Sequence, residues 1–255
     1  MIGHIFPQVF ASFSQQRLSA QGVPVFIYHS IGKPAAGSGD PYLYVSPERF
    51  DEQLGELQAA GFSSGSLADI GKQPGNPKRH CVITFDDGCR NVFEHAQEIL
   101  ARRNFRAVQF LVAGLIGGRS EWTVRNGRPA MPLADAAQIR EWLAAGHSIG
   151  SHTSTHPVLT QIDPAAAREE IVSSRKRLED AFACAVTHFA YPGGRWNSRV
   201  RDMVAEAGYA TACTTAFGVN TSETPGHELR RIFPLSLREF AGKIVHRIRR
   251  KFLPK

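Results

Sequence analysis

The stretch Val82-Ile83-Thr84-Phe85-Asp86-Asp87-Gly88 limits what this chain can be more than any other. Its apolar, β-branched start reads as a buried strand, and the glycine after it as a sharp turn. Two adjacent carboxylates stand between strand and turn. They repel each other, and core packing gains nothing from them. In a parallel α/β sheet, ligands bind at the C-terminal ends of the strands. The plainer reading makes Asp86 and Asp87 the start of a turn that caps the next helix.

A second stretch, His147-Ser148-Ile149-Gly150-Ser151-His152-Thr153-Ser154-Thr155-His156-Pro157, carries three histidines. His152 and His156 are four apart, the reach at which two imidazoles on one helical turn share a metal. Such a pair often arises by chance, but beside a strand-end Asp-Asp it carries more weight. Asp87, His152 and His156 would supply one oxygen and two nitrogens and leave positions for water or substrate. That is a hydrolytic site rather than a closed structural one. Asp86 would remain as general base. One divalent ion is expected, zinc by ligand type, with iron, cobalt or nickel also compatible.

Thr84-Phe85-Asp86-Asp87-Gly88 and, about 65 positions later, His152-Thr153-Ser154-Thr155-His156-Pro157 resemble the motifs of the polysaccharide deacetylases, carbohydrate esterases with a NodB homology domain. The resemblance covers residues 23–235. The opening Val25-Phe26-Ile27-Tyr28-His29-Ser30-Ile31 is similar to the branch acting on poly-N-acetylglucosamine-like glycans. Strands alternating with helices already read as an α/β barrel. The resemblance narrows this to a distorted, incomplete (β/α) barrel of about seven strands, NodB-type. It implies hydrolysis of N-acetyl groups on an amino-sugar glycan, with release of acetate.

The resemblance also implies roles for residues outside the two motifs. Many members carry a late Leu-x-His motif that supplies the general acid. Here the corresponding stretch is Arg231-Ile232-Phe233-Pro234-Leu235-Ser236-Leu237. The acid role falls instead to His29, at the end of the first strand; His147 competes for it and reads as structural. Tyr191-Pro192-Gly193-Gly194 is similar to the family's third motif, in which a backbone N–H after the proline binds the oxyanion. Gly193 would donate it, with Tyr191, Pro192, Arg195 and Trp196 on the substrate side. Ala190 stands where that motif has an arginine, and Gly193 where it has an aromatic. Arg195 is the candidate substitute, although it reads equally well as a surface residue. The family's Asp-x-x-Asp-Trp motif is absent.

Three segments are expected: an N-terminal amphipathic segment at 1–22, the catalytic domain at 23–235 and a basic C-terminal helix at 236–255. In the first, Ile2, Ile5, Phe6, Val9, Phe10 and Phe13 follow helical spacing, and it would either pack under the barrel or dock on a membrane or partner. Strands are expected at Val23–Tyr28, Ala107–Val112, His147–Ser151, His188–Tyr191, Tyr209–Thr214 and Arg231–Phe233. Helices are expected from Ser46 to Gly61, Val92 to Arg103, Ala134 to Ala145 and Pro164 to Phe182. Tyr42 and Tyr44 on the loop at 32–45 would line a substrate rim, or serve as plain packing. The loop Gly117–Pro132, with Trp122, Arg125 and Arg128, has no direction readable from sequence.

The net charge is +7, and Arg238–Lys255 alone holds seven Lys or Arg against one Glu. The catalytic domain is therefore close to neutral. A basic amphipathic helix suits an anionic membrane surface or an acidic partner, or closes the barrel with a solvated tail. No nucleic-acid partner is expected, since no nucleic-acid module accompanies the charge. Four cysteines without CxxC spacing read as free thiols. There is no clear signal peptide and no apolar run long enough to span a membrane. A cytoplasmic enzyme is expected, or one peripheral to the cytoplasmic membrane face, acting on an N-acetylated glycan or lipid-linked sugar. Three other readings stand: a metal amidase acting on a small amide, a non-catalytic glycan-binding domain of the same fold, and a membrane-associated scaffold organised by the two terminal helices.

Overall fold

A computed structural model describes residues 22–34, 37, 43–72 and 78–234. The N-terminal segment, Tyr42 and the basic C-terminal segment lie outside the described residues. Among the described residues nine strands occur: β1 (Val25–Tyr28), β2 (Ser30–Ile31), β3 (Tyr44–Val45), β4 (Ser63–Ser64), β5 (His80–Phe85), β6 (Ala107–Leu111), β7 (Ser148–Ser151), β8 (His188–Ala190) and β9 (Thr211–Cys213). Six helices accompany them: α1 (Pro47–Ala59), α2 (Arg90–Arg102), α3 (Glu121–Arg125), α4 (Ala136–Ala144), α5 (Pro164–Phe182) and α6 (Ser198–Glu206).

Seven strands form one curled parallel sheet in the order β1-β5-β6-β7-β8-β9, with β4 beside the start of β5. The curled sheet with helices on its outer face is the incomplete (β/α) barrel expected from the sequence. Parallel neighbours need crossover connections, which the helices between strands supply while covering the outer face. Several helix starts are legible. Ser46 and Asp163 cap α1 and α5, each followed by proline, and Asp135 forms a capping box with Gln138 at α4.

β5 shows how the sheet separates its two faces. Ile83 and Phe85 join the large cluster under the helices, with Phe50, Leu100 and Trp142. Val82 joins a smaller cluster inside the curl, with Val25, Val108, Phe110 and Leu229. Alternation then sends Thr84 and Asp86 inward with Val82.

Several element bounds differ from expectation. β1 begins at Val25, because Val23 makes a single antiparallel bridge to Asn220. β7 begins after His147 and β9 is shorter at both ends. Arg231–Phe233 is not a strand. Leu229 bridges Cys213 of β9 and Ile232 bridges Phe26 of β1, so this segment spans the gap between first and last strands by isolated contacts. Cys81, Cys89, Cys184 and Cys213 are all free thiols. No helix among the described residues is long and apolar enough to cross a membrane.

Candidate metal centre

Asp86 and Asp87 do not cap the helix that follows. The N-cap of α2 is Cys89, and it makes no side-chain capping bond. The two carboxylates diverge because Asp87 adopts a left-handed backbone, φ 76°, followed by Gly88, also at 76°. Asp86 stays on the inner face of β5. Asp87 turns off the strand towards β7.

Asp87 Oδ1 lies 3.5 Å from His152 Nε2 and 3.3 Å from His156 Nε2. The three ligand atoms fall within 4.8 Å of one another. His152 directly follows β7 and is buried; its Nδ1 meets the Ala190 carbonyl at 2.7 Å, which presents Nε2 to Asp87. His156 is not on a helical turn with His152. Thr153 and His156 are both left-handed, at φ 68° and 63°. The segment is a strained loop; each such residue costs about 1–3 kcal/mol and persists only because its surroundings hold it. Thr153 Oγ1 accepts the His156 N–H at 3.0 Å. The Trp122 ring stacks on His156 with centroids 4.4 Å apart and planes 19° apart.

Burial alone would push the Asp87 carboxyl up. Hydrogen bonds from His152 and His156 outweigh it and hold Asp87 well below the usual carboxylate range. Burial alone would push His152 down, and Asp87 with Asp86 reverses that. One carboxylate and two imidazoles, converging and oriented from outside by Ala190 and Thr153, fit a divalent cation with coordination positions left over.

Asp86 has a partner that the sequence reading missed. Arg231 Nη1 and Nη2 donate to Asp86 Oδ1 and Oδ2, both at 2.7 Å. Arg231 is fully buried, its Nε donates to the Thr214 carbonyl at 2.8 Å, and its guanidinium lies over the Phe110 ring. Burial pushes Asp86 up, but the charges of Arg231 and His152 bring its carboxyl below the ordinary value. Arg195 does not fill this role; it lies exposed beyond β8. A signal was present in the sequence. Arg231 leads directly into the apolar pair Ile232-Phe233, and an arginine there needs a buried carboxylate if it faces inward.

The remaining candidates fall as follows. His29 is half-buried at the end of β1, its ring parallel to Phe233 at 6.4 Å, within electrostatic reach of both Asp86 and Asp87. His147 lies at the opposite end of β7, packed on Trp142 and accepting the Ala107 N–H through Nδ1. Gly193 is exposed in a left-handed conformation, φ 61°. Tyr191 is fully buried and its hydroxyl donates to the His227 carbonyl at 2.9 Å, so it backs the wall and cannot face a sugar. Pro192 is likewise buried. Trp196 is half-buried and stacks on Tyr191. The loop Gly117–Pro132 folds over the centre, for Arg125 Nη2 donates to the Thr155 carbonyl at 3.0 Å beside the Trp122 stack.

A family model described as polysaccharide deacetylase matches residues 73–212, more than half of the chain. The chain belongs to the polysaccharide deacetylase family. The matched span includes Asp86, Asp87, His152 and His156. His29 and Arg231 fall outside it. The family protein YxkH of Bacillus subtilis (strain 168) is 27% identical over 214 residues, covering 82% of this chain and 70% of that protein. The chitooligosaccharide deacetylase of Bradyrhizobium sp. (strain ANU 289) is 27% identical over 135 residues; the match covers 52% of this chain and 54% of that protein. In fold, the chain is similar to the Streptococcus pyogenes deacetylase PplD, solved in complex with acetate. The TM-score is 0.72 at 24% identity, covering 88% of this chain and 98% of that one.

Proposed function

We propose that this polysaccharide deacetylase is a metal-dependent hydrolase that removes N-acetyl groups from an amino-sugar glycan, leaving a free amine and releasing acetate. The observation that carries it is the convergence of Asp87, His152 and His156 beside Asp86, a buried carboxylate kept ionised by Arg231. Asp87, His152 and His156 would hold one divalent ion, zinc by the nitrogen-rich donor set, with iron, cobalt or nickel also suited to it. When bound, the ion would polarise the acetyl carbonyl and lower the pKa of the attacking water.

The chain's own groups do the rest. Asp86 takes the proton from water as a C–O bond forms at the acetyl carbon. An ionised carboxylate has about four lone-pair sites, so accepting both Arg231 arms still leaves Asp86 able to accept that proton. Arg231 keeps it from rotating and from being protonated in its buried setting. Gly193 is exposed just beyond β8, and its N–H would donate to the developing oxyanion. His29 delivers a proton to the nitrogen as the C–N bond breaks, releasing a neutral amine and acetate. Arg195 and Trp196 lie beyond β8, where a neighbouring sugar of an N-acetylated glycan or lipid-linked sugar would sit.

The test is acetate release and free-amine formation from N-acetylglucosamine oligomers by zinc-reconstituted protein. Activity that disappears in Asp86→Asn supports the reading. Activity on small amides alone would favour an amidase, and glycan binding without turnover would favour a binding domain. The basic segment Arg238–Lys255 supports peripheral contact with an anionic membrane, which co-sedimentation of the full chain with anionic vesicles at low and high salt would test.

A further inference from the structure

The loop that carries His156 is tied down by a carboxylate that no ligand or proton-transfer role uses. Glu170, half-buried on α5, faces the turn between the two histidines. Its Oε2 accepts from the Ser154 N–H and the Thr155 N–H, both at 2.9 Å. Its Oε1 accepts from the Thr155 hydroxyl at 2.6 Å. Ser173, nearly one turn further along α5, adds a contact of 2.8 Å to the Ser154 hydroxyl. From the sheet side, the N–H groups of Ala113 and Gly114 donate to the carbonyls of Thr153 and Ser154, each at 2.9 Å. The approach there is close: a Cβ on Gly114 would stand 2.6 Å from the Ser154 oxygen.

The placement is specific. Ser154 and Thr155 lie between Thr153 and His156, the two left-handed residues of the loop. A turn of that shape points successive N–H groups outward instead of pairing them along a helix. Ser154 is buried and Thr155 exposed, so without Glu170 the Ser154 N–H would be left unpaired away from water and would favour another conformation of the loop. Hydrogen bonds to an ionised carboxylate are about twice as strong as neutral ones, and one carboxylate here collects three donors.

We propose that Glu170 is a positioning residue for the metal centre. It holds the His152–His156 loop in its ligating conformation before any ion arrives, so that the ion meets a preorganised donor set. Outer partners of this kind usually matter by 10-fold to 100-fold in metal affinity. The inference rests on the metal-dependent reading above.

The experiment compares full-length wild type, Glu170→Ala and Glu170→Gln, each stripped of metal. Zinc dissociation constants are measured by competition with a chromophoric chelator, and the Tm of the metal-free protein is measured alongside. Glu170→Ala is expected to weaken zinc binding about 10–100-fold while the metal-free Tm stays close to wild type. Glu170→Gln keeps the size and one acceptor oxygen but loses the charge, and should fall between the two. If the alanine variant does not fold, the glutamine variant decides: a severalfold weaker Kd supports the proposal, and a wild-type Kd overturns it. A Kd unchanged in Glu170→Ala overturns it, as does a graded loss of metal-free Tm with no change in Kd, which marks a purely structural staple. Wild type that binds no zinc removes the functional reading itself, a result separate from any difference among the variants.

Discussion

Arg231 and Asp86 meet through two parallel 2.7 Å hydrogen bonds across 145 positions of sequence, inside a barrel where both are almost wholly buried. The pair joins the strand that carries the carboxylates to the segment that spans β9 and β1. A fork that matches a carboxylate on both arms fixes its plane as well as its charge.

Removing the cation leaves a buried carboxylate without its partner. Arg231→Ala should destabilise the protein by about 3–5 kcal/mol in denaturant titrations near neutral pH. With the guanidinium gone, burial dominates and the Asp86 carboxyl rises, so the acid limb of the rate profile should move to higher pH. In the wild type the folded value lies below the unfolded one, so the stabilisation is present above about pH 3.9 and is lost only as pH falls through the lower folded value. Arg231→Lys supplies the charge without the fork and should recover only part of both effects. An unshifted acid limb in Arg231→Ala would show that Asp86 does not set it.

Asp86 and His29 are separable by what each variant keeps. Asp86→Asn should lose turnover by about 100-fold or more while still binding metal, because Asp87, His152 and His156 are untouched. His29→Ala should also keep metal, and its turnover loss should be smaller for substrates with better leaving amines. Wild-type turnover in Asp86→Asn would remove it from the base role. Equal losses for all leaving groups in His29→Ala would remove His29 from the acid role.

Much of this centre was legible because its signals are local. Asp86-Asp87 ends an apolar run, and the two histidines lie four apart, so a strand end and a loop could be read directly from neighbours. The geometry of that loop was not legible. Spacing of four suits a helix, and only the left-handed backbone at Thr153 and His156 shows that the ring approach is made another way. Arg231 was missed because its partner is far away in sequence and its segment pairs by single bridges instead of a regular strand. Tyr191 was misplaced because a strand-end aromatic reads the same whether it faces a sugar or, as here, a carbonyl behind the wall. Strand ends were overextended at Val23 and Tyr209 because apolar residues continue past the last ladder bond.

His147 makes a prediction away from the centre. It accepts the Ala107 N–H through Nδ1, which requires a neutral ring, and burial with nearby Arg106 pushes it down to about 4. The unfolded chain takes up that proton near pH 6.5 while the folded chain does not, so stability is full above about pH 6.5 and declines as pH falls towards 4. Thermal melts at intervals from pH 7 to 4.5 should show a smaller decline for His147→Asn than for wild type. Parallel declines would assign the acid sensitivity elsewhere, first to His188, which burial also pushes down to about 4.

The most direct measurement is the metal content of the purified full chain after dialysis against zinc, wild type beside His156→Ala, by elemental analysis. The account predicts about one ion per chain in the wild type, held by Asp87, His152 and His156, and its loss from a His156→Ala protein that remains folded. No bound ion in the wild type under any reconstitution, or equal occupancy in the variant, would contradict it.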